Sequence, residues 1–289
     1  MQIIESRAEL QDLSDQERAL GKRIALVPTM GALHAGHLSL VDTAHQHADR
    51  TWLSLFVNPT QFNDPADFES YPDTREQDLA LCRQNGVDVV WLPSVDEMYP
   101  DGAQSWVEVK EISKPLCGKN RPGHFLGVST VVTKLFLAAK PHVAVFGEKD
   151  YQQLAIIRRM VQDLGFDLQI VGAPTVREPD GLAMSSRNVH LTPTAREEAL
   201  VIVRALDAVE QAFLRGERDL ATMLQTARQQ LTTATSGTLE YLEICDADTL
   251  RPVSTDMPER VLIAIAMAFK TGPRADDSVR LIDNRVLED

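Results

Sequence analysis

The stretch "VPTMGALHAGHLSL" (residues 27–40) runs from an apolar segment closed by Pro28, through a glycine-bearing turn, into a helical pattern, with His34 and His37 at the changeover. A strand that gives way to a helix like this is the first half of a βαβ unit. The chain around it repeats the rhythm. "RIALVP" (23–28), "TWLSLFV" (51–57), "VDVVWLP" (87–93), "HVAVFG" (142–147) and "LQIVG" (168–172) are short, continuously apolar and closed by Gly, Pro or Asn, as strands buried on both faces are. Helical patterns over 37–48, 74–85, 127–139 and 150–164 lie between them. Such alternation predicts right-handed crossovers and a doubly wound parallel sheet, an α/β fold.

The rhythm changes after about residue 175. "TAREEALVIVRALDAVEQAFLRG" (194–216) has helical spacing, with Thr194 as predicted N-cap, Glu197 completing a capping box and Gly216 at the end. A second helix is predicted over 219–234. The runs 239–246, 260–269 and 279–283 follow without intervening helices, which predicts an antiparallel sheet and a second, smaller α+β domain at the C-terminal end. The expected domains are 1–178 and 179–289.

Composition narrows the function classes. The 289 residues carry a formal charge of −13, which argues against a surface that grips nucleic acid or anionic lipid. The most apolar stretch, "VLIAIAMAF" (261–269), is far shorter than the ~20 residues needed to cross a bilayer, and "MQIIESRAEL" lacks the apolar region of a signal peptide. Three dispersed cysteines, Cys82, Cys117 and Cys245, make neither a disulfide framework nor a cysteine-rich zinc site. A cytoplasmic protein without nucleic-acid or membrane partners is expected.

In an open parallel sheet, ligands bind where the chain leaves the carboxyl ends of the strands. The polar residues of this sequence gather in those loops. Gly31 and Gly36 suit close backbone approach, and the N-terminus of the following helix offers unpaired N–H groups and a partial positive charge. An isolated histidine is more often a cap or a core residue; the pair, set between glycines after a strand, points to an anion site. Zinc is disfavoured, because no Asp or Glu lies between Thr29 and Val41. Lys149 is the right residue type for phosphate and Asp150 for ribose hydroxyls. Ser185, Ser186 and Arg187 place two hydroxyls and a guanidinium fork in one loop, suited to a triphosphate. Asn58 and Gln61, in "NPTQF", offer amides to a small substrate, and Arg121 and His124 offer a second anion contact. Alone, each of these segments reads equally as an ordinary polar turn.

Taken together and in order, "PTMGALHAGH" (28–37), "FVNPTQF" (56–62), "RPGHFLGV" (121–128), "FGEKDYQQL" (146–154), "DGLAMSSRN" (180–188) and "RLIDN" (280–284) resemble the pantothenate synthetases, the pantoate–β-alanine ligases. The resemblance spans nearly the whole chain. It implies a Rossmann-like N-terminal domain, a C-terminal lid, ATP as co-substrate with Mg, pantoate and β-alanine as substrates, and a homodimer. It implies that His34, His37, Lys149, Ser185, Ser186 and Arg187 hold phosphates and carry catalysis. ATP binding would extend to Met30, Gly31, Gly147, Asp150, Val176 and Met184, the last two and Gly147 and Asp150 around adenosine. Met30, Gln61 and Gln153 would line the pantoate pocket, Asn58 and Gln61 would place β-alanine, and Asp78 would contact the metal. One departure from the family pattern is the longer polar segment "FKTGPRADDSV" (269–279), where a hairpin is expected.

The chemistry suits these residue types. A carboxylate must be activated before an amine can attack it, so pantoate would attack the α-phosphorus of ATP, giving pantoyl adenylate and pyrophosphate. Fixed donors and Mg²⁺ offset the charge that builds up. The amine of β-alanine then expels AMP. His37 is assigned to charge stabilisation ahead of proton donation. Two other functions share the two-histidine motif: a nucleotidyltransferase acting on a phosphomonoester, and a tRNA-binding, synthetase-like module, which the acidity disfavours.

Overall fold

The computed structural model describes residues 1–63, 68–69, 71–254, 257–274 and 277–288. The chain divides into two compact units. The first comprises 1–113, 118–148 and 153–174, and the second 114–117, 149–152 and 175–289.

The first unit holds the six-stranded sheet: β1 (Gln2–Ile4), β2 (Ile24–Thr29), β3 (Arg50–Leu55), β4 (Val89–Trp91), β5 (Val143–Gly147) and β6 (Gln169–Ala173). Their order is β1-β4-β3-β2-β5-β6, and every pairing is parallel. The expected doubly wound α/β architecture is what the chain adopts. The sheet grows outward from β2 through β3 and β4, then returns to add β5 on the other side of β2. That reversal makes a switch point between β2 and β5, where a crevice opens at the carboxyl ends of the strands. Ala25 and Val27 of β2, Leu53 of β3, Val90 of β4 and Val143 and Val145 of β5 are buried with Leu40, Val41 and Ala44 of α2 (Ala35–His47). Burial of each larger side chain contributes about 1.5–3 kcal/mol, and it fixes α2, hence the loop before it, on the sheet.

β1 and α1 (Arg7–Ala19) are additions to the elements expected from sequence. Two helices start earlier than expected. α2 begins at Ala35, not at or beyond His37, and the helix predicted from 127 begins at His124. The helix over 75–84, Arg75–Gln84, is α3, that over His124–Ala139 is α4, and Tyr151–Leu164 is α5.

In the second unit, α6 (Pro193–Ala199) and α7 (Val201–Leu214) replace the single helix predicted from Thr194. The N-cap is Thr192, whose Oγ1 accepts the Ala195 N–H at 3.2 Å. Pro193 sits at the first helical position, where a missing N–H costs nothing. α7 ends as predicted at Gly216, whose φ of 90° suits glycine. α8 (Leu220–Leu231) precedes β7 (Gly237–Asp246), β8 (Arg260–Lys270) and β9 (Ser278–Glu288), an antiparallel sheet in that order. Ile202, Leu206 and Phe213 of α7 are buried with Ile263, Ile265 and Phe269 of β8. The β8–β9 pairing runs out to Lys270 opposite Ser278, so the long polar segment closes a regular hairpin; its residues 275–276 lie outside the described residues. No described helix is long and apolar enough to cross a membrane.

Candidate active site

The loop after β2 is held in an unusual shape. Gly31 has φ 88° and Ala32 φ 50°, two successive left-handed residues, the second costing about 1–2 kcal/mol in an L-amino acid. Asp78, on α3 and 3% exposed, compensates. Its Oδ2 accepts the Ala32 N–H (2.9 Å) and its Oδ1 the Leu33 N–H (2.8 Å), while Thr74 Oγ1 donates to Oδ2 (2.9 Å). Both carboxylate oxygens thus serve the loop, Oδ2 with the added bond from Thr74. A Cβ on Gly31 would lie 3.1 Å from Asp78 Oδ2, so the turn and its clamp fit closely.

This turn delivers His34 to the N-cap of α2. His34 Nδ1 accepts the Gly36 N–H at 3.1 Å, and His37 Nδ1 accepts the His34 N–H at 3.4 Å. The two rings cap the helix reciprocally, with centroids 4.2 Å apart. Because each Nδ1 is an acceptor, each neutral ring carries its proton on Nε2 and donates through that atom. Protonating either ring at Nδ1 would set two N–H groups against each other.

The turn after β3, Pro59–Gln61, brings Gln61 to Met30: the Gln61 amide nitrogen donates to Met30 Sδ at 3.0 Å. Asn58 is 1% exposed and saturated. Its amide nitrogen donates to Gln61 Oε1 (3.1 Å) and Gly127 O (3.2 Å), and its oxygen accepts from Thr60 Oγ1 and Tyr99 OH, both at 2.9 Å. Burial pushes the Tyr99 phenol up, against its hydrogen bonds with Thr60 and Asn58, so it remains a donor. Asn58 therefore sets the orientation of Gln61; a direct contact with β-alanine would require one of these bonds to give way. His124 Nδ1 (2.7 Å) and an Arg121 Nη (3.3 Å) both donate to Gln61 O, so the "RPGHF" segment anchors the same turn.

Gly127 of α4 lets the helix approach that turn directly: a Cβ there would lie 2.5 Å from Thr60 O. Gly127→Ala is therefore expected to displace the 58–61 turn and lower stability by about 1–3 kcal/mol. A urea unfolding midpoint unchanged from the parent would show that the helix can retreat without cost.

Gly147 ends β5, and a Cβ on it would meet nothing nearer than Leu40 Cδ2 at 3.9 Å. Protein packing does not demand glycine there. Gln153, on α5, is half-buried.

The second unit carries the other expected residues. Lys149 Nζ lies 3.9 Å from Asp150 Oδ2, with the lysine side chain 21% and the aspartate 52% exposed. Val176 and Met184 face each other across a short ladder: Met184 N–H donates to Val176 O at 3.0 Å, next to the Arg177–Ala183 bridge. Ser185 then caps the helical turn Ser186–His190, its Oγ accepting the Arg187 N–H at 3.3 Å. Arg196 of α6 pins the ladder's turn through Glu178 (2.6 Å) and Asp180 (2.7 Å). The Asp180 hydrogen bond is the largest cause of the raised Arg196 pKa. Asn188 holds the other end, donating to Glu178 Oε1 (2.5 Å) and Ala183 O (3.1 Å).

His45 and His142 are structural. His45 bonds Thr51 Oγ1 (2.9 Å) and Asn85 O (3.0 Å), and His142 Nδ1 accepts the Ile24 N–H (3.0 Å). Thr74, Tyr99, Arg177 and Asp283 support these segments, and each also bonds a residue far away in the chain: Ala32, Asn58, Asp283 and Arg177 respectively.

Comparison with known proteins gives one answer along the full length. The model of the pantoate–β-alanine ligase family matches residues 2–286. The pantothenate synthetase of Geobacter sulfurreducens is 49% identical over 287 residues, 99% of each chain, and that of Acetivibrio thermocellus 46% over 288 residues, 100% of each. Among solved structures, the Thermus thermophilus pantothenate synthetase superposes with a TM-score of 0.88 at 42% identity, covering 99% of each chain. A Francisella tularensis pantoate–β-alanine ligase, complexed with β,γ-ATP and β-alanine, gives 0.75 at 35% identity, covering 99% of this chain and 97% of that one.

Proposed function

The chain belongs to the pantoate–β-alanine ligase family, enzymes that condense pantoate with β-alanine at the expense of ATP, and from that premise we propose the roles of its individual residues. The carrying observation is the reciprocal cap of α2, in which both Nδ1 atoms accept backbone N–H groups, so that each ring when neutral can donate only through Nε2, beside a helix N-terminus at the sheet's switch point. Phosphate oxygens of ATP are assigned to His34 and His37 in the first unit and to Lys149, Ser185, Ser186 and Arg187 in the second. Gly147, Asp150, Val176 and Met184 bind adenosine. The open space over Gly147 supports that assignment, since a flat ring system needs the room a side chain would take. Met30, Gln61 and Gln153 line the pantoate pocket, and the Gln61–Met30 contact supports the first two. Gln61, oriented by Asn58, takes part in placing β-alanine.

The pantoate carboxylate attacks the α-phosphorus, and pyrophosphate leaves as negative charge grows on the non-bridging oxygens. Fixed donors aimed at that charge lower the barrier without having to reorganise. The β-alanine amine, deprotonated before attack, then takes the acyl group and AMP departs. Asp78 is assigned the task of holding the loop that delivers His34, ahead of a metal contact. Among the described residues, no group of three or more histidine, cysteine or acidic side chains is placed to hold a metal ion. Magnesium, which the family resemblance implies as the companion of ATP, would neutralise phosphate charge when bound.

We assign ATP and pantoate binding to 1–178, the lid function to 179–289, a homodimeric state and a cytoplasmic location. Family membership supports the dimer, and three free, buried cysteines suit a reducing compartment. The deciding experiment measures pyrophosphate and AMP while omitting each substrate in turn. Pyrophosphate is expected with ATP and pantoate alone, and AMP release only once β-alanine is added. Pyrophosphate release indifferent to pantoate would overturn the assignment.

A further inference from the structure

The "RLIDN" segment near the C-terminal end has no role in the reaction as described so far, yet two of its residues reach both ATP-binding segments of the second unit. Asp283 and Asn284 are neighbours on β9. Asp283 is 4% exposed and forms a two-pronged ion pair with Arg177, at 2.6 and 3.1 Å. Its Oδ1 also accepts the N–H of Asn284 at 2.8 Å. Burial, the largest single influence, works against the Arg177 charge. The Asp283 hydrogen bond and attraction, with Asp207 and Glu210 beyond, outweigh it and raise the Arg177 pKa.

Arg177 in turn donates to Gly181 O at 3.1 Å, closing the turn of the ladder that carries Val176 on one side and Met184 and Ser185 on the other. Asn284 serves the other segment: its amide nitrogen donates to the main-chain oxygen of Lys149 at 2.8 Å. Lys149 and Arg177 are far apart in sequence, and adjacent residues of one strand hold both.

We propose that Asp283 and Asn284 are positioning residues for ATP, fixing the Lys149 backbone and the Val176–Ser185 ladder to one rigid strand of the antiparallel sheet. The inference rests on the assignment of Lys149 and the 176–187 segment to ATP. The two residues act through others and touch no substrate. Asn284 is the cleaner probe, because its side chain is neutral, whereas removing Asp283 strands a half-buried guanidinium.

The test compares Asn284→Ala, Lys149→Ala and the double variant in the full-length protein, by initial rates of pyrophosphate release and by thermal unfolding. Asn284→Ala is expected to raise the KM for ATP about five- to tenfold, while the KM for β-alanine stays within error and the unfolding midpoint falls by only about 2–4 °C. In the Lys149→Ala background, the same substitution is expected to add less than about twofold, because a residue acting through Lys149 has nothing left to position. Multiplying effects in the double variant, or an unchanged ATP KM in Asn284→Ala beside a raised one in Lys149→Ala, would overturn the proposal. An unchanged ATP KM in Lys149→Ala would instead overturn the assignment of Lys149 itself. Hydrogen exchange of the 176–185 amides in Asp283→Asn gives the second arm: faster exchange supports the frame, and unchanged exchange refutes the Asp283 half.

Discussion

Asp78→Ala is expected to cut pantoate-dependent pyrophosphate release by about a hundredfold or more, although Asp78 touches no substrate, because misplacing a binding group by about 1 Å costs that much. The carboxylate accepts two loop N–H groups and the Thr74 hydroxyl. Leaving such buried donors unsatisfied costs about 1–3 kcal/mol each. Ala32 keeps only its 3.1 Å bond to Thr74 Oγ1, which has itself lost its anchor on Asp78, and the turn at φ 50° is expected to relax, carrying His34 with it. Stability is expected to fall by about 2–6 kcal/mol, counting the two loop N–H groups alone, measurable as a lower urea midpoint. Asp78→Asn separates this role from a metal site. The amide keeps one acceptor but turns an N–H toward the other loop donor, so most of the loss should persist and added magnesium should restore none of it. Recovery of activity at high magnesium would return Asp78 to the metal.

The second large effect divides the two ring nitrogens of His37. Its Nδ1 accepts the His34 N–H, and its Nε2–H is assigned to phosphate. Glutamine places an amide nitrogen near the Nε2 position, and asparagine an oxygen near the Nδ1 position. His37→Asn is therefore expected to keep the cap, with stability near the parent, and to lose about 10²–10³ in the rate of pyrophosphate release, the usual cost of removing one donor from developing charge. His37→Gln is expected to do the reverse: it retains more of the rate and loses about 0.5–2 kcal/mol of stability with the cap. Were His37 a proton donor to the leaving group, both variants would be equally slow, since neither amide can supply a proton. Pyrophosphate release by rapid quench, beside urea melts of both variants, checks the split.

Much of the fold is legible from sequence because strands buried on both faces must be continuously apolar. β2, β3 and β5 are such runs, and their alternation with helices leaves few topologies. β1 and α1 escape for the opposite reason: β1 buries only Ile4, and α1 buries only Leu10 and Ser14, so neither carries a strong periodic signal. The early start of α2 follows from the same limit. Ala35 and Gly36 look like loop residues until His34 is seen to act as an N-cap, a task usually given to Ser, Thr, Asp or Asn.

The candidate residues that sequence brings forward are those whose chemistry announces itself: paired histidines, Lys149, and the Ser-Ser-Arg run. What sequence conceals is the support beneath them. Asp78 lies 45 residues from Leu33, and Asn284 lies 135 from Lys149, so no local pattern links either to its client. Asn58 shows the converse: an amide that looks like a substrate reader has all four of its hydrogen-bonding positions taken within the protein.

The reciprocal cap of α2 also says something about what this wall rewards in a ligand. Imidazoles whose Nδ1 atoms accept backbone bonds are held in the neutral Nε2–H form for as long as those bonds last. They present a pattern of hydrogen bonds at fixed positions, and any well-placed pair of acceptor oxygens satisfies it, ionised or not. An inhibitor built for this half of the molecule therefore does not need a phosphate's charge. Neutral sulfonyl or carbonyl oxygens at the right separation meet the same two donors, and they pay less to leave water.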